Sequence, residues 1–371
     1  MNESPTILVV DDAPVNVELV QSILAGEGFR TLIAGDGPSA VRITQSEQPD
    51  LILLDVMMPG ENGFETCTRL KSDPATADIP VIFLSALEDV GSKVAGLKGG
   101  GVDFITKPVH ADEVLARVRV HLRIRASNLS VVAHQRAQLE QLRHAQQSIL
   151  VQPADCPEAA FGVYYRPLQD VSGDLYDVLP VAPGVFAYFV ADISGHGVSA
   201  SFLTSAVKAL LRQYAGPIFS PEETMRSVDS VMRQMLGEEQ YLTACYAQLN
   251  RRTCRLAVVS AGHPPLILVS ASGEVRVLDM HSEPLGLFSS MLLQRMDVKV
   301  KQGDRFFMYS DGLIESMPGG GRKVGLEKLI RACVDHRADS LADIALSVVS
   351  DVRPPGTPAT DDMLLLVGEA C

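Results

Sequence analysis

The sequence predicts a doubly wound α/β domain with a parallel five-stranded sheet, then a long helical linker, then an α+β domain of packed antiparallel sheets and helices. Three observations carry this expectation. Residues 1 to about 109 alternate short apolar runs with helix-length amphipathic segments, the pattern of a parallel sheet covered on both faces. Residues 110–150 contain neither Gly nor Pro. From about 154 onward many strand-like runs surround two helical stretches. At 371 residues the chain is also too long for one ordinary domain. The expected boundaries are 1–122 for the first domain, 110–152 for the linker and 153–371 for the second domain.

The five strands of the first domain are TILVV (6–10), FRTLIA (29–34), DLILLD (50–55), IPVIFLS (79–85) and VDFITK (102–107). Between them, segments such as NVELVQSILAGEG and GFETCTRLKSDP place apolar residues at helical spacing with glycine near their ends. In such a sheet the functional site lies at the carboxyl ends of the strands.

The 110–150 segment is rich in Arg, Gln, Ala and Leu. Leu115, Val118, Leu122, Leu129, Val132 and Leu139 keep an approximate a/d spacing, and Leu142 and Ile149 continue it after a phase change. Arg125 and Arg136 fall on the seam. This reads as a long helix that leaves the first domain and pairs with a copy of itself, making a homodimer. The alternative is a single amphipathic helix folded back on its own domain. Pro153 and Pro157 mark the next boundary.

In the second domain FGVYYR, VFAYFVA, LTACYAQL, CRLAVVSA, LILVS, DRFFMYS and MLLLVGE read as strands, with helices at 198–215 and 221–236. Composition narrows the function. A net charge of −13 without a basic stripe argues against nucleic acid as a partner. The six cysteines show no metal-like spacing and read as reduced thiols of a cytoplasmic protein. No run of about 18 apolar residues suggests a membrane span, and MNESPTILVVDD lacks the features of a signal peptide.

Asp11 and Asp12 end the first strand, Asp55 the third, Ser85 the fourth and Lys107 the fifth, so a doubly wound sheet gathers all five at one edge. Three carboxylates packed together repel unless a hard cation neutralises them, and oxygen-only ligation suits Mg²⁺. The motifs VVDD (9–12), LLDVMMPG (53–60), LSA (84–86) and FITKP (104–108) make residues 5–122 resemble a CheY-like response-regulator receiver. That resemblance implies that Asp55 accepts a phosphoryl group from a histidine kinase. It further implies that Asp11, Asp12, Asp55 and the Met57 carbonyl hold Mg²⁺, that Ser85 and Lys107 grip the phosphoryl oxygens, and that Phe104 reorients on activation.

The second domain repeats the theme. SGDLYD (172–177), ADISGHG (191–197), YSDGLIE (309–315) and TDDMLLL (360–366) place Asp192, Asp311 and Asp361 at the borders of apolar strands. A strand-end acid such as Asp192 needs a metal, an arginine or the amides of the next turn beside it. No lysine or arginine lies within these motifs, so metal is the favoured reading, and acid-rich oxygen sites select Mg²⁺ or Mn²⁺. A bridging carboxylate can hold two such ions about 4 Å apart for in-line attack on phosphorus.

With AQQSILVQP (145–153), AGHPP (261–265), EPLG (283–286) and QGDRFFMYSDGLIE (302–315), these motifs make residues 145–371 similar to the SpoIIE-type branch of the metal-dependent type 2C protein phosphatases. The resemblance implies that Asp192 bridges two Mn²⁺ or Mg²⁺ ions, with the Ile193 carbonyl on the second. Asp311 and Asp361 would complete the first site, and Asp174 and Asp177 would act near the second. Ser172, Ser310, Leu364 and the Val324-Gly325 pair depart from the usual pattern without removing a carboxylate. Gly195 and Gly197 read as positions of positive φ. His196 and His263 read as structural rather than as general acids.

Together the motifs predict a two-component response regulator whose receiver controls a Mg²⁺/Mn²⁺-dependent serine/threonine phosphatase. The resemblance implies a phosphoserine substrate of the anti-anti-sigma (STAS) type in a partner-switching pathway. The alternative is a phosphorylation-gated adaptor whose phosphatase-like domain sequesters or delivers a sigma-factor regulator without significant catalysis.

Overall fold

The structure, a computed structural model, describes residues 4–86, 96–168, 171–195, 197–237, 240–288, 291–315, 321–354, 356–357 and 360–370. The chain divides into two compact units, Met1–Arg136 and Ala137–Cys371. In the first, β1 (Thr6–Val10), β2 (Arg30–Ala34), β3 (Leu51–Asp55), β4 (Val81–Ser85) and β5 (Asp103–Thr106) form one parallel sheet ordered β2-β1-β3-β4-β5. Among the described residues its named helices include α1 (Pro14–Ala25), α2 (Gly37–Glu47), α3 (Gly63–Ser72) and the start of α4 (Ala111–Ser148).

Period-2 alternation within mainly apolar strands explains why both faces are covered. Ile7, Val9, Leu51 and Leu53 pack with α1 and with Val114 and Val118 of α4, whereas Leu8, Val10, Ile52 and Leu54 pack with α2 and α3. An Asn62–Glu65 capping box starts α3 just beyond the Asp55 strand end. Arg125, expected on a helix–helix seam, instead donates from its Nη1 to the Pro49 carbonyl at 2.7 Å. That face of α4 is therefore engaged with its own domain as far as residue 125.

The second unit contains β6 (Phe161–Arg166), β7 (Asp174–Ala182), β8 (Val185–Ile193), α5 (Val198–Tyr214), α6 (Pro221–Met235), β9 (Leu242–Asn250), β10 (Arg255–Ala261) and β11 (Leu266–Val269). It continues with β12 (Val275–Leu278), β13 (Gln294–Lys299), β14 (Arg305–Tyr309), α7 (Gly321–Asp335), α8 (Ile344–Val352) and β15 (Met363–Glu369). Two antiparallel five-stranded sheets, ordered β13-β10-β9-β8-β7 and β12-β11-β14-β15-β6, face each other. Tyr188 of one meets Phe306 of the other edge to face, with ring centroids 4.8 Å apart.

Residues of α5 and α6 join the inter-sheet core cluster from the far side of the first sheet, while α7 and α8 cover a separate core on the second. The layers thus run helix, sheet, sheet, helix. The strands β7, β12 and β13 and the helices α7 and α8 were not among the elements expected from the sequence. Among the described residues no helix is long and apolar enough to cross a membrane.

Candidate functional site

In the first unit the parallel sheet delivers its strand-end residues as expected. One carboxylate oxygen from each of Asp11, Asp12 and Asp55 lies within 4.8 Å of the other two. Asp11 and Asp55 are buried and Asp12 is exposed. Lys107 Nζ donates to Asp11 Oδ2 at 2.7 Å and lies 2.8 Å from Asp55 Oδ1.

Burial raises the Asp55 carboxyl above its usual range, and Lys107 works against that rise. Burial disfavours the Lys107 charge, but hydrogen bonds to Asp11 and Asp55 outweigh it and hold the ammonium. Asn16 and the Ala13 amide further fix Asp11. Ser85 is buried at the end of β4, where its carbonyl accepts from the Lys107 amide at 2.9 Å. The Phe104 ring is half-buried and stacks on Phe83 with centroids 5.0 Å apart. Met57 exposes its side chain, and its amide hydrogen-bonds the Asp55 carboxylate.

In the second unit the ladder between β7 and β8 sets Asp174 directly opposite Asp192. Like charges at such positions destabilise a sheet unless something positive lies between them. Asp174 is buried, and its Oδ2 has no hydrogen-bond partner among the described residues. Burial, and then the Asp192 charge, raise the Asp174 carboxyl well above the usual range, with the Ser310 hydroxyl opposing. Burial pushes Asp192 up to about 7, helped by Asp311, Asp361, Asp362 and Glu315. Burial also raises Asp311, reinforced by Glu315 and Asp361 and opposed by Arg322.

These acids spread more widely than the first set, since among the described residues only the Asp11–Asp12–Asp55 trio brings three ligand atoms within 4.8 Å. A donor set of oxygens alone, an orphaned buried carboxylate oxygen and facing acids fit a hard divalent cation. Asp174, Asp192, Asp311 and Asp361 are the residues that would hold it.

Close backbone approaches assemble this edge. A Cβ on Gly173 would lie 2.9 Å from the Ile193 carbonyl oxygen and 3.4 Å from Asp192 Oδ1. A Cβ on Gly312 would lie 2.0 Å from the Asp362 carbonyl oxygen, so Asp311 can stand beside the Asp361–Asp362 pair only because glycine follows it. Gly195 and Gly197 adopt φ of 99° and 86°, as the sequence predicts. His196 lies outside the described residues. His263 is buried, with Nδ1 3.0 Å from Thr243 Oγ1, and burial lowers its pKa to about 3.

Asp177 requires a correction. On β7 it falls on the opposite face from Asp174, is fully buried, and lies 3.0 Å from both Lys208 and Arg212 of α5. Two cations from a distant helix neutralise it, so it anchors α5 rather than attending a metal. The absence of Lys and Arg inside the motifs concealed this pairing.

Three further residues escaped sequence reasoning as parts of the site. Asp362 accepts from the Leu168 amide and the Ser172 hydroxyl, both at 2.6 Å, and from the Gly173 amide at 3.1 Å. The second acid of the DD pair is thus a clasp on the Asp174 turn. Ser172, noted as a departure, is that clasp's partner, and its Oγ also accepts from the Asp174 amide at 2.9 Å. Gln146, near the end of α4, is buried and brackets Ser172, donating to its carbonyl at 2.7 Å and accepting from its amide at 3.1 Å. The AQQSILVQP motif quoted above was the signal for Gln146.

Comparison with known proteins matches residues 182–370 to "Stage II sporulation protein E (SpoIIE)" and residues 7–119 to "Response regulator receiver domain". Among curated relatives, the response regulator PleD of Caulobacter vibrioides is 47% identical over 116 residues, 31% of this chain and 26% of that protein. Among the first relatives matched, this chain covers about a quarter to a half of their length.

Among solved structures, the SiaA-PP2C domain of Pseudomonas aeruginosa superposes with a TM-score of 0.57 at 22% identity, covering 65% of this chain and 99% of that one. The RsbU and RsbW domains of a Mycobacterium tuberculosis protein give 0.51 at 23% identity, covering 56% and 59%. At these identities the likeness establishes the fold.

Proposed function

The chain belongs to the stage II sporulation protein E family and carries a response regulator receiver domain ahead of that region, and from this premise we propose that it is a receiver-controlled, Mg²⁺/Mn²⁺-dependent protein-serine/threonine phosphatase. The observation that carries the proposal is the Asp174–Asp192 pair, set face to face across a ladder with no cation beside it among the described residues. Divalent ions held by Asp174, Asp192, Asp311, Asp361 and the Ile193 carbonyl would supply Lewis-acid activation of water and neutralise the phosphoryl oxygens.

The protein's own residues do the rest. Gly173 and Gly312 admit the close approaches that aim the acids, and Asp362 and Ser172 hold the Asp174 turn. The substrate proposed is a phosphoserine protein of the anti-anti-sigma (STAS) type, carried over from the family resemblance. The architecture shared with the RsbU and RsbW domains is consistent with it.

Control would begin at Asp55. A carboxylate oxygen attacks the phosphorus of a histidine kinase's phosphohistidine, the P–N bond breaks and the kinase imidazole leaves with its electron pair. Mg²⁺ on Asp11, Asp12, Asp55 and the Met57 carbonyl would neutralise the transferring group. Lys107 and Ser85 would then bind the new phosphoryl oxygens, and Phe104 would follow the shift. One continuous helix, α4, runs from the receiver core residues Val114 and Val118 to Gln146.

Ile124, Leu129 and Val132 of that helix are exposed apolar residues, which a second copy of the chain would cover. Hydrolysis of para-nitrophenyl phosphate by the full chain tests the proposal, with Mn²⁺ or EDTA, with or without beryllofluoride, and with Asp192→Ala. Turnover that requires Mn²⁺ and Asp192 and changes with beryllofluoride is expected. Turnover indifferent to Asp192 would refute it.

A further inference from the structure

A cleft of about 740 Å³ opens between the Gly262–Pro265 loop, the 279–283 segment and the first turn of α7. Its chemistry is mixed. Arg322 and Lys323 line it at the positive end of a 15-residue helix, and Asp279 and Glu283 face them. Among its described lining residues there is no Phe, Tyr or Trp, and of its two imidazoles that of His263 is buried. Two acids beside two bases suit a polypeptide, whose amides and carbonyls use both signs, better than a free polyanion.

The cleft also adjoins the acids. His263 lines it and bonds Thr243, and Thr243 is paired with Asp192 in the β8–β9 ladder. Arg322 lies 3.9 Å from Glu315, on the segment that carries Asp311, and favours the Asp311 carboxylate. Only 6% of His263 is exposed, its Nδ1 lies 3.0 Å from Thr243 Oγ1, and the Tyr309 backbone also hydrogen-bonds the ring.

We propose that this cleft seats the polypeptide flanking the phosphorylated residue, with Arg322 meeting the phosphoryl oxygens. The proposal rests on the phosphatase reading and adds where the substrate lies. Arg322 is then a binding residue that the family motifs do not contain, and Lys323, His281 and Asp279 select the sequence beside the phosphate.

The test uses fluorescence anisotropy of a fluorescein-labelled, alanine-rich peptide carrying one phosphoserine. It is titrated in Mn²⁺ with the full chain bearing Asp192→Ala, so that the peptide survives. Adding Arg322→Gln should weaken binding about tenfold, the effect of one lost charge-assisted bond. His281→Trp, filling the cleft from its rim, should do the same, and Lys323→Gln serves as a second charge variant if either misfolds. Lys299→Ala, on β13 outside the cleft, should leave affinity unchanged.

Equal affinity in all three cleft variants, or no binding of the phosphopeptide, overturns the proposal. Mn²⁺-dependent turnover by the wild-type chain with cleft-indifferent binding would retire the cleft and keep the phosphatase. Binding that depends on the cleft, with no turnover, would do the reverse.

Discussion

Asp192→Asn should make the metal-free protein more stable at neutral pH while abolishing its response to Mn²⁺. Burial and four neighbouring acids push Asp192 from 3.8 to about 7 in the folded chain. A carboxyl whose pKa is raised on folding costs stability wherever the unfolded state has already lost the proton. That cost is absent below about pH 4, grows as pH rises, and is complete above about pH 7. From 3.8 to about 7, at about 1.4 kcal/mol per pKa unit, the ceiling is ~4 kcal/mol.

Partial solvent access and the sharing of repulsion with Asp174 and Asp311 reduce the expected gain to about 2 kcal/mol. For a unit of this size that is roughly 4–8 °C in Tm. The assay is thermal and urea unfolding of wild type and variant at pH 5 and pH 8, each with EDTA and with Mn²⁺. The variant should lead at pH 8 in EDTA, the lead should narrow towards pH 4, and Mn²⁺ should raise only the wild type appreciably. A variant no more stable than wild type at pH 8 in EDTA would refute the reasoning, as would a gap that ignores pH.

Asp177→Asn should destabilise the second unit by about 3 kcal/mol in urea titration, because Lys208 and Arg212 lose a buried partner. Calorimetric Mn²⁺ affinity should stay within about twofold, which separates Asp177 from the metal ligands. Ser172→Ala removes the hydroxyl that joins Asp362 to the Asp174 amide, and should cost about 1–3 kcal/mol together with a clear loss of Mn²⁺ affinity. Lys107→Ala leaves Asp11 and Asp55 facing each other, so the receiver should lose stability in EDTA and recover it when Mg²⁺ is added, read by its unfolding transition.

The first unit was legible almost to the residue, because its strands are short, mainly apolar and punctuated by turns. TILVV reappears as Thr6–Val10, and the five strand-end residues meet because parallel topology allows little else. The second unit was legible in its motifs more than in its elements. DLYDVLPVA forms β7 despite two acids and a proline: Asp177 is neutralised from α5, while Asp174 sits at the strand's first position, opposite Asp192. QRMDVK forms an edge strand whose residues are mostly exposed, so its apolar signal is weak. Asp362 could not be told from Asp361 by spacing, because only the folded turn at Ser172–Gly173 separates their roles.

The two acid clusters meet the same electrostatic problem in different surroundings. In the receiver, Lys107 reaches two of the three carboxylates at 2.7 and 2.8 Å, so the cluster is largely compensated by its own chain. In the second unit, the nearby lysine and arginine of α5 are both engaged by Asp177 on the other face of β7. Arg322 lies 3.9 Å from Glu315 at an exposed position, and its charge also favours the Asp311 carboxylate. Burial and their mutual charge raise both Asp174 and Asp192, so a proton or an added cation would relieve the pair.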